Sequence, residues 1–599
     1  MEKRQQIAER LEALREELRR EHLSAFIFPT TDPHNSEYTA ARWKGREWIS
    51  GFNGSAGTAV VTLKSAALWT DSRYFIAAGQ QLSGTEYQLM KLKMVDTPTI
   101  AEWLGRELAD MDDKAVGIDG MTSTTNNVEE LIADLRREGG ITVRTNFDPL
   151  QRIWKNRPLV PMNPVEPQPL ELAGEDVVSK LKRIRQELRK QHADGMLMSQ
   201  LDDIAWTLNL RGCDVHCCPV FVCYLLITTQ SPTLFIYKEK LSADILQMLI
   251  GQGVTIDSYD AIADGLRRYP DYNILIDPDE VSYTLTHVVK AQEVVRGTSP
   301  IPALKATKTL AEQEGFRKAM VRDGVALVKW LKWLSEQPDK SVLTEMSIAD
   351  KLEALRAEQP MYRGLSFDTI AGYGAHGAIV HYEATPDTDI PLQSRGLLLV
   401  DSGAQYQDGT TDITRTIALG PLTEEERRVY TLVLKGHIDL QLLRFPDGVS
   451  GSQLDAIARQ PLWKAGLNYL HGTGHGVGSY LNVHEGPHQI RMEWKPAKLH
   501  AGMTVTDEPG VYLEGRFGVR IENLLLIQDA EETECGRFLR FETLTLCPID
   551  MTPIVPELMT QEEKQWLNTY HANVFERLAP HLTVEERQWL GDHTQPFSY

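Results

Sequence analysis

The sequence predicts a mixed α/β chain in three parts: two successive α/β domains, residues 1–158 and 159–304, then a larger α+β domain, residues 305–599. Three observations predict this. A helix-then-strand pattern near the start returns about 170 residues later. A proline-marked stretch separates the two copies, and beyond Leu397 strand-like apolar runs carry acidic residues where a core tolerates few.

Leu11, Leu14 and Leu18 recur at helical spacing, and Ala25-Phe26-Ile27-Phe28 follows as a short buried strand. Aligning the stretch from Leu11 with that from Leu181 matches Arg15 with Arg185, Glu17 with Glu187, Leu18 with Leu188 and His22 with His192. Gly195 to Met198 then repeats the strand. Pro158, Pro161, Pro164, Pro167 and Pro169 disfavour helix and suit an extended linker. Ser299-Pro300-Ile301-Pro302 marks the next boundary, after which Lys305 to Leu334 reads as one long helix. Near the end, Trp566, Leu567, Tyr570, Val574 and Leu578 give Gln561 to Leu578 a helical apolar face.

A formal net charge of −20 and a pI near 5.3 argue against nucleic acid or an anionic membrane as main partner. The charged opening segment has no apolar h-region, and no run of about eighteen apolar residues follows. A cytoplasmic protein is expected. Six cysteines, four of them between Cys213 and Cys223, are too few for a disulfide framework, so reduced thiols are expected. Cys213-Asp214-Val215-His216-Cys217-Cys218 fits no common zinc spacing, and a loop of packed thiols is the simpler reading.

The chemistry concentrates between Asp401 and Glu522. Asp401 ends the apolar run Leu397–Val400 and Asp412 begins a β-branched run, which implies a hairpin through Gln407-Asp408-Gly409-Thr410. A turn centred near Tyr406-Gln407 sets the aspartates opposite each other, whereas one on Asp408-Gly409 leaves them roughly 13 Å out of step, so a wide or bulged loop is expected. Glu508 and Glu522 are equidistant from Gly515, so direct hairpin pairing places both on one face with Cβ atoms roughly 5 Å apart. His475 lies in His471-Gly472-Thr473-Gly474-His475-Gly476, whose glycines favour a tight loop or irregular strand over helix. Gly372, Gly374 and Gly377 suggest a flexible approach to these strands.

Four carboxylates and one imidazole form a hard donor set suited to two ions of Mn²⁺, Zn²⁺ or Co²⁺ rather than to a structural zinc. Two carboxylates about 4 Å apart repel by about 4 kcal/mol at an effective dielectric of ~20, so such a cluster needs cations or protons. Taken singly, an aspartate at a strand end also reads as a turn or cap residue, and a buried histidine as a hydrogen-bonded core group.

The strings DSGAQYQDGTTDITRT, HGTGHGVGSYLNVHEGP and VTDEPGVYLEGRFGVRIENLLLI resemble the pita-bread metallopeptidases, and among them the three-domain Xaa-Pro aminopeptidases (aminopeptidase P). The resemblance runs through nearly the whole chain, including Asp202-Asp203-Ile204-Ala205-Trp206 and Asn209-Leu210-Arg211-Gly212. It implies two creatinase-like N-terminal domains before a pita-bread catalytic domain, and a homodimer. It also implies two divalent metal ions, with Mn²⁺ first in expectation, on Asp401, Asp412, His475, Glu508 and Glu522. His381, His471 and His484 match active-site histidines, and Arg73 matches a peptide contact from the N-terminal domain. For His381, His471 and Arg73, hydrogen bonding to backbone accounts for the residues as well.

The implied reaction is hydrolysis of the bond between a first residue and a proline in second position. A bridging hydroxide held by Asp412 and Glu522 is expected to attack the carbonyl. Glu508 is expected to carry the proton to the proline nitrogen, while His381 and His484 bind the oxyanion or substrate backbone. A prolidase acting on Xaa-Pro dipeptides is the alternative within enzymes, and typically has one N-terminal domain. A catalytically inactive pita-bread binding or chaperone protein is the alternative outside them, and typically lacks ligands.

Overall fold

The structure is a computed structural model that describes residues 2–112, 114–290 and 293–597; Met1, Ser598 and Tyr599, at the predicted domain limits, lie outside them. The chain forms two compact units: Met1–Pro167 with Asp176–Ile301, and Gln168–Glu175 with Pro302–Tyr599. The proline-rich stretch is therefore divided between them. In the second unit, Thr309 Oγ1 donates to Ala173 O at 3.0 Å.

The first unit contains two six-stranded sheets of the same order. In one, Ala25–Pro29 lies antiparallel to Thr58–Thr62 and parallel to Ala115–Ile118. In the other, Gly195–Met198 lies antiparallel to Tyr224–Thr228 and parallel to Ile274–Ile276. The preceding helices, Glu2–Arg20 and Val177–Lys190, end alike: His22 and His192 take positive φ of 55° and 58°. Arg15 and Arg185 each donate Nε to the last carbonyl of the antiparallel strand, Thr62 O at 3.1 Å and Thr228 O at 3.0 Å. The two segments thus share a strand order, a left-handed helix end and one arginine contact.

The cysteine-rich loop is organised by a carboxylate. Asp214, buried, accepts Val222 N at 2.7 Å and pairs with the buried Lys240, while Cys213 is exposed and Cys218 and Cys223 are buried. The packed-thiol reading holds for only part of the loop.

In the second unit, the expected long helix is two: Ile301–Ala306 and Leu310–Ser335. Thr309 caps the longer one in a capping box with Glu312, whose carboxylate accepts Thr309 N at 2.8 Å, and Thr307 pairs with Met503. The helix Gln561–Leu578 forms as expected, burying Leu567, Tyr570, Val574 and Leu578 against the helix Glu424–Gln441 and Val511, Val519 and Ile521. On the strand Leu397–Tyr406, Leu398 and Val400 pack with Ala326 and Trp330 of the long helix. Alternation then leaves Asp401 on the other face. Each such apolar side chain contributes about 1.5–3 kcal/mol on burial, and so fixes which face the acids occupy.

Candidate metal centre

Leu397–Tyr406 pairs with Ile413–Ala418 and, at its end, Tyr406 with Gly409, all in one register. The turn is therefore the two residues Gln407-Asp408, with no widened loop. Asp401 stands opposite Thr414, not Asp412. Asp412 and Thr414 share a face, so the two aspartates are diagonal neighbours about 7 Å apart along the strands. The irregularities fall on the other edge, where Tyr362–Tyr373 pairs with the same strand through three register shifts.

The glutamates follow a similar arithmetic. Thr504–Asp507 pairs with Asn523–Thr533, ending at Asp507 with Asn523, and Gly510–Leu513 pairs with Phe517–Arg520, beginning at Gly510 with Arg520. Both ladders share one register, which sets Glu508 across from Glu522 in the gap between them. Their amides bond elsewhere: Glu508 N to Thr473 O at 2.7 Å, and Glu522 N to Thr414 O at 3.1 Å.

His475 sits in a three-residue strand, Gly474–Gly476, bulged against Glu485–Ile490. Only glycine fits at position 474, since a Cβ there would lie 1.9 Å from Thr506 O. That approach lets Thr506 Oγ1 accept His475 N at 3.0 Å. The ring Nδ1 donates to Gly476 O at 2.9 Å, which leaves Nε2 as a lone-pair donor facing Asp412 and Glu508. The approach through Gly372, Gly374 and Gly377 is likewise packed: a Cβ on Gly518 would meet Gly377 O at 1.7 Å.

Ligand atoms of Asp412, His475 and Glu522 all lie within 4.8 Å of one another. His475 Nε2 is 3.4 Å from Asp412 Oδ2 and 3.6 Å from Glu508 Oε1. Two donors bound to one ion at about 2.1 Å, at a tetrahedral angle, stand about 3.4 Å apart, so the spacing suits a shared cation. Asp401 Oδ1 is buried without a hydrogen-bond partner. Burial and the neighbouring Asp412 push Asp401 up to about 6 against the pull of Arg520. Burial pushes Glu508 up to about 7, and burial with Asp412, Asp401 and Glu508 raises Glu522 well above the carboxylate range. Burial alone would depress His475; Asp412 and Glu508 override it and lift the ring to about 9. As side chains alone, the cluster holds protons that divalent cations displace, and its donor set fits them.

Of the other expected residues, His471 donates or accepts at Tyr512 OH through Nε2 at 2.8 Å and lies 4.0 Å from Glu508 through Nδ1. The His484 ring stands edge-on to His475, centroids 4.4 Å apart. His381 follows Val380, whose carbonyl accepts Arg520 Nη2 at 3.3 Å. Arg73 belongs to the first unit, forked onto Asp71 at 2.9 and 2.8 Å.

Sequence reading passed over Arg520. Almost wholly buried, it donates Nη2 to Asp401 Oδ2 at 2.7 Å, Nη1 to Tyr512 OH at 2.7 Å and Nε to Thr414 Oγ1 at 3.1 Å. Thr414 Oγ1 in turn donates to Glu522 Oε2 at 2.7 Å. The signal was available: Arg520 lies two residues before Glu522, hence on the same face of a strand otherwise built from Phe517, Val519 and Ile521.

The profile of metallopeptidase family M24 matches residues 314–529, and that of the C-terminal region of this peptidase family matches 537–597. Two creatinase/prolidase N-terminal domain profiles match 10–146 and 156–312. Aminopeptidase P1 of Arabidopsis thaliana is 39% identical over 96% of this chain and 97% of its own, and aminopeptidase P1 of Lotus japonicus is 37% identical over the same shares. The X-prolyl aminopeptidase of Caenorhabditis elegans, described as a cytosolic enzyme with a di-nuclear active site, superposes with a TM-score of 0.94 at 34% identity, covering 99% of this chain and 100% of its own. The Xaa-Pro dipeptidase of Bacillus anthracis, at 22% identity and a TM-score of 0.51, covers 63% of this chain and shares the fold. The chain belongs to the aminopeptidase P (X-prolyl aminopeptidase) family of M24 metallopeptidases.

Proposed function

We propose that the protein removes the first residue from peptides whose second residue is proline. The observation that carries this is the convergence of Asp412, His475 and Glu522, with Glu508 facing them, in a chain alike end to end to aminopeptidases P. Asp401, Asp412, His475, Glu508 and Glu522 hold two divalent cations, with Mn²⁺ the first candidate and Zn²⁺ and Co²⁺ acceptable to the same donors. Bound there, such cations would supply Lewis-acid polarisation of the scissile carbonyl and a water made acidic enough to attack near neutral pH.

The chain's own residues supply the rest. Glu508, between His475 and His471, receives the proton of the attacking water and delivers it to the proline nitrogen, which as a tertiary amide has no N–H of its own. His484 and His381 hydrogen-bond the oxyanion or the peptide backbone, and His471 holds Tyr512. Arg520 fixes Asp401, and Thr414 fixes Glu522. Arg73 is a peptide-binding residue. A cytosolic homodimer fits the reading. Among the described residues no helix is long and apolar enough to cross a membrane.

The test is reconstitution. Chelated protein, loaded in turn with Mn²⁺, Zn²⁺ and Co²⁺, is expected to release the first residue from Xaa-Pro-Yaa. Cleavage restricted to Xaa-Pro dipeptides would make it a prolidase, and full activity without metal would overturn the reading.

A further inference from the structure

Behind the histidine loop lies a buried ion pair that no role above requires. Asp455 and Arg459, one turn apart on the helix Gly451–Trp463, are 2% and 1% exposed, with Arg459 Nε donating to Asp455 Oδ2 at 2.6 Å. The pair faces the segment carrying His471 and His475. Arg459 Nη1 donates to Tyr469 O at 2.6 Å and Nη2 to His471 O at 2.8 Å, while the guanidinium lies 3.8 Å over the Tyr469 ring. Asp455 Oδ1 accepts Thr473 Oγ1 at 2.6 Å, and Tyr469 OH meets the same hydroxyl at 2.5 Å. The carbonyl of Thr473 accepts the amide of Glu508 at 2.7 Å.

We infer that Asp455 and Arg459 are positioning residues for the metal centre, setting the loop His471–His475 and, through Thr473, the main chain of Glu508. Segment 471–476 holds three glycines, so its own backbone preferences constrain it weakly. Three charge-assisted bonds from one rigid pair fix the carbonyl of Tyr469, just before the segment, and the carbonyl of His471 and hydroxyl of Thr473 within it. A lysine at position 459 cannot replace the arginine: one ammonium lacks the planar fork that serves a carboxylate and two carbonyls at once. Partners of ligands typically contribute 10- to 100-fold in metal affinity or rate.

This inference rests on the metallopeptidase reading, but its test does not depend on peptidase activity. Metal-free wild type, Arg459→Ala and Thr473→Val are titrated with Mn²⁺ by calorimetry, and kcat and KM are measured on an Xaa-Pro-Yaa peptide. Both variants are expected to raise the Kd for Mn²⁺ about tenfold or more, and to lower kcat more than they raise KM. Millimolar guanidinium is expected to restore part of kcat to Arg459→Ala and none to Thr473→Val. Thr473→Val removes the hydroxyl's hydrogen bonds to Asp455 and Tyr469 with little change of volume, and carries the test if Arg459→Ala does not fold. Arg356→Met, which breaks the equally buried fork onto Asp323, is the control: its unfolding midpoint should fall while its Kd for Mn²⁺ stays at the wild-type value. Wild-type Kd and kcat in folded Arg459→Ala and Thr473→Val, or an equal loss in Arg356→Met, would overturn the assignment. If wild type binds Mn²⁺ yet cleaves no Xaa-Pro peptide, the proposed activity fails and the Kd comparison still decides this point.

Discussion

Glu508 and Glu522 face each other across a gap between two antiparallel ladders of one register, and neither spends its amide on the other. Glu508 N goes to the histidine loop and Glu522 N to the aspartate hairpin, so the gap is where three segments meet. A sheet interrupted at two facing acids, Glu522 buried and Glu508 half-buried, calls for cations or protons between them.

Glu508→Gln keeps the shape and removes the proton carrier. Turnover on an Xaa-Pro-Yaa peptide should fall by about 10²- to 10⁴-fold, with KM changed far less. Steady-state kinetics at saturating Mn²⁺ check this, and wild-type kcat would remove Glu508 from proton transfer.

Arg520→Met strips Asp401 of two hydrogen bonds and its only ion-pair partner among the described residues. Leaving a buried carboxylate unpaired costs about 3–5 kcal/mol. Urea unfolding of the metal-free protein should show that loss, and Mn²⁺ should recover part of it, because the cation takes over the compensation of Asp401.

Arg73→Ala removes the fork onto Asp71 on the unit remote in sequence from the ligands. Metal content should stay at the wild-type value while kcat/KM for peptide falls at least about tenfold, a loss of about 1.4 kcal/mol. An unchanged kcat/KM would take Arg73 out of peptide binding.

His571 gives a pH signature separate from the metal centre. Its ring accepts Ile549 N through Nε2 at 3.1 Å, so the folded state uses the neutral form, and burial, with Arg415 nearby, holds the group down to about 4. Unfolded, it titrates near 6.5, so between pH 6.5 and 4 the unfolded chain binds more protons. Its contribution is complete above pH 6.5 and is lost as pH falls toward 4, on the order of 3 kcal/mol. His571→Gln keeps an acceptor and cannot titrate. Its melting temperature should drop less than that of wild type between pH 7.5 and 5, and equal drops would contradict the account.

What could be read from the sequence, and what could not, divides by the range of the interaction. The symmetry of Glu508 and Glu522 about Gly515 is local arithmetic, and the register follows it. The hairpin of Asp401 and Asp412 obeys the same arithmetic, but a wide loop was expected on the assumption that paired ligands must be directly opposite; a diagonal offset on one face serves equally. The single helix expected from Lys305 breaks at Thr307-Lys308-Thr309, where Thr309 with Glu312 three residues on is a helix-start signal. Contacts made by folding alone, such as Arg459 reaching His471 O or Thr414 reaching Glu522, leave no spacing pattern to find.

The most direct measurement is the metal content of the purified, Mn²⁺-equilibrated protein by elemental analysis, beside Asp412→Asn and Glu522→Gln. The account predicts two equivalents per chain in wild type and loss of at least one in each variant. No bound metal in wild type, or two equivalents retained in both variants, would contradict it.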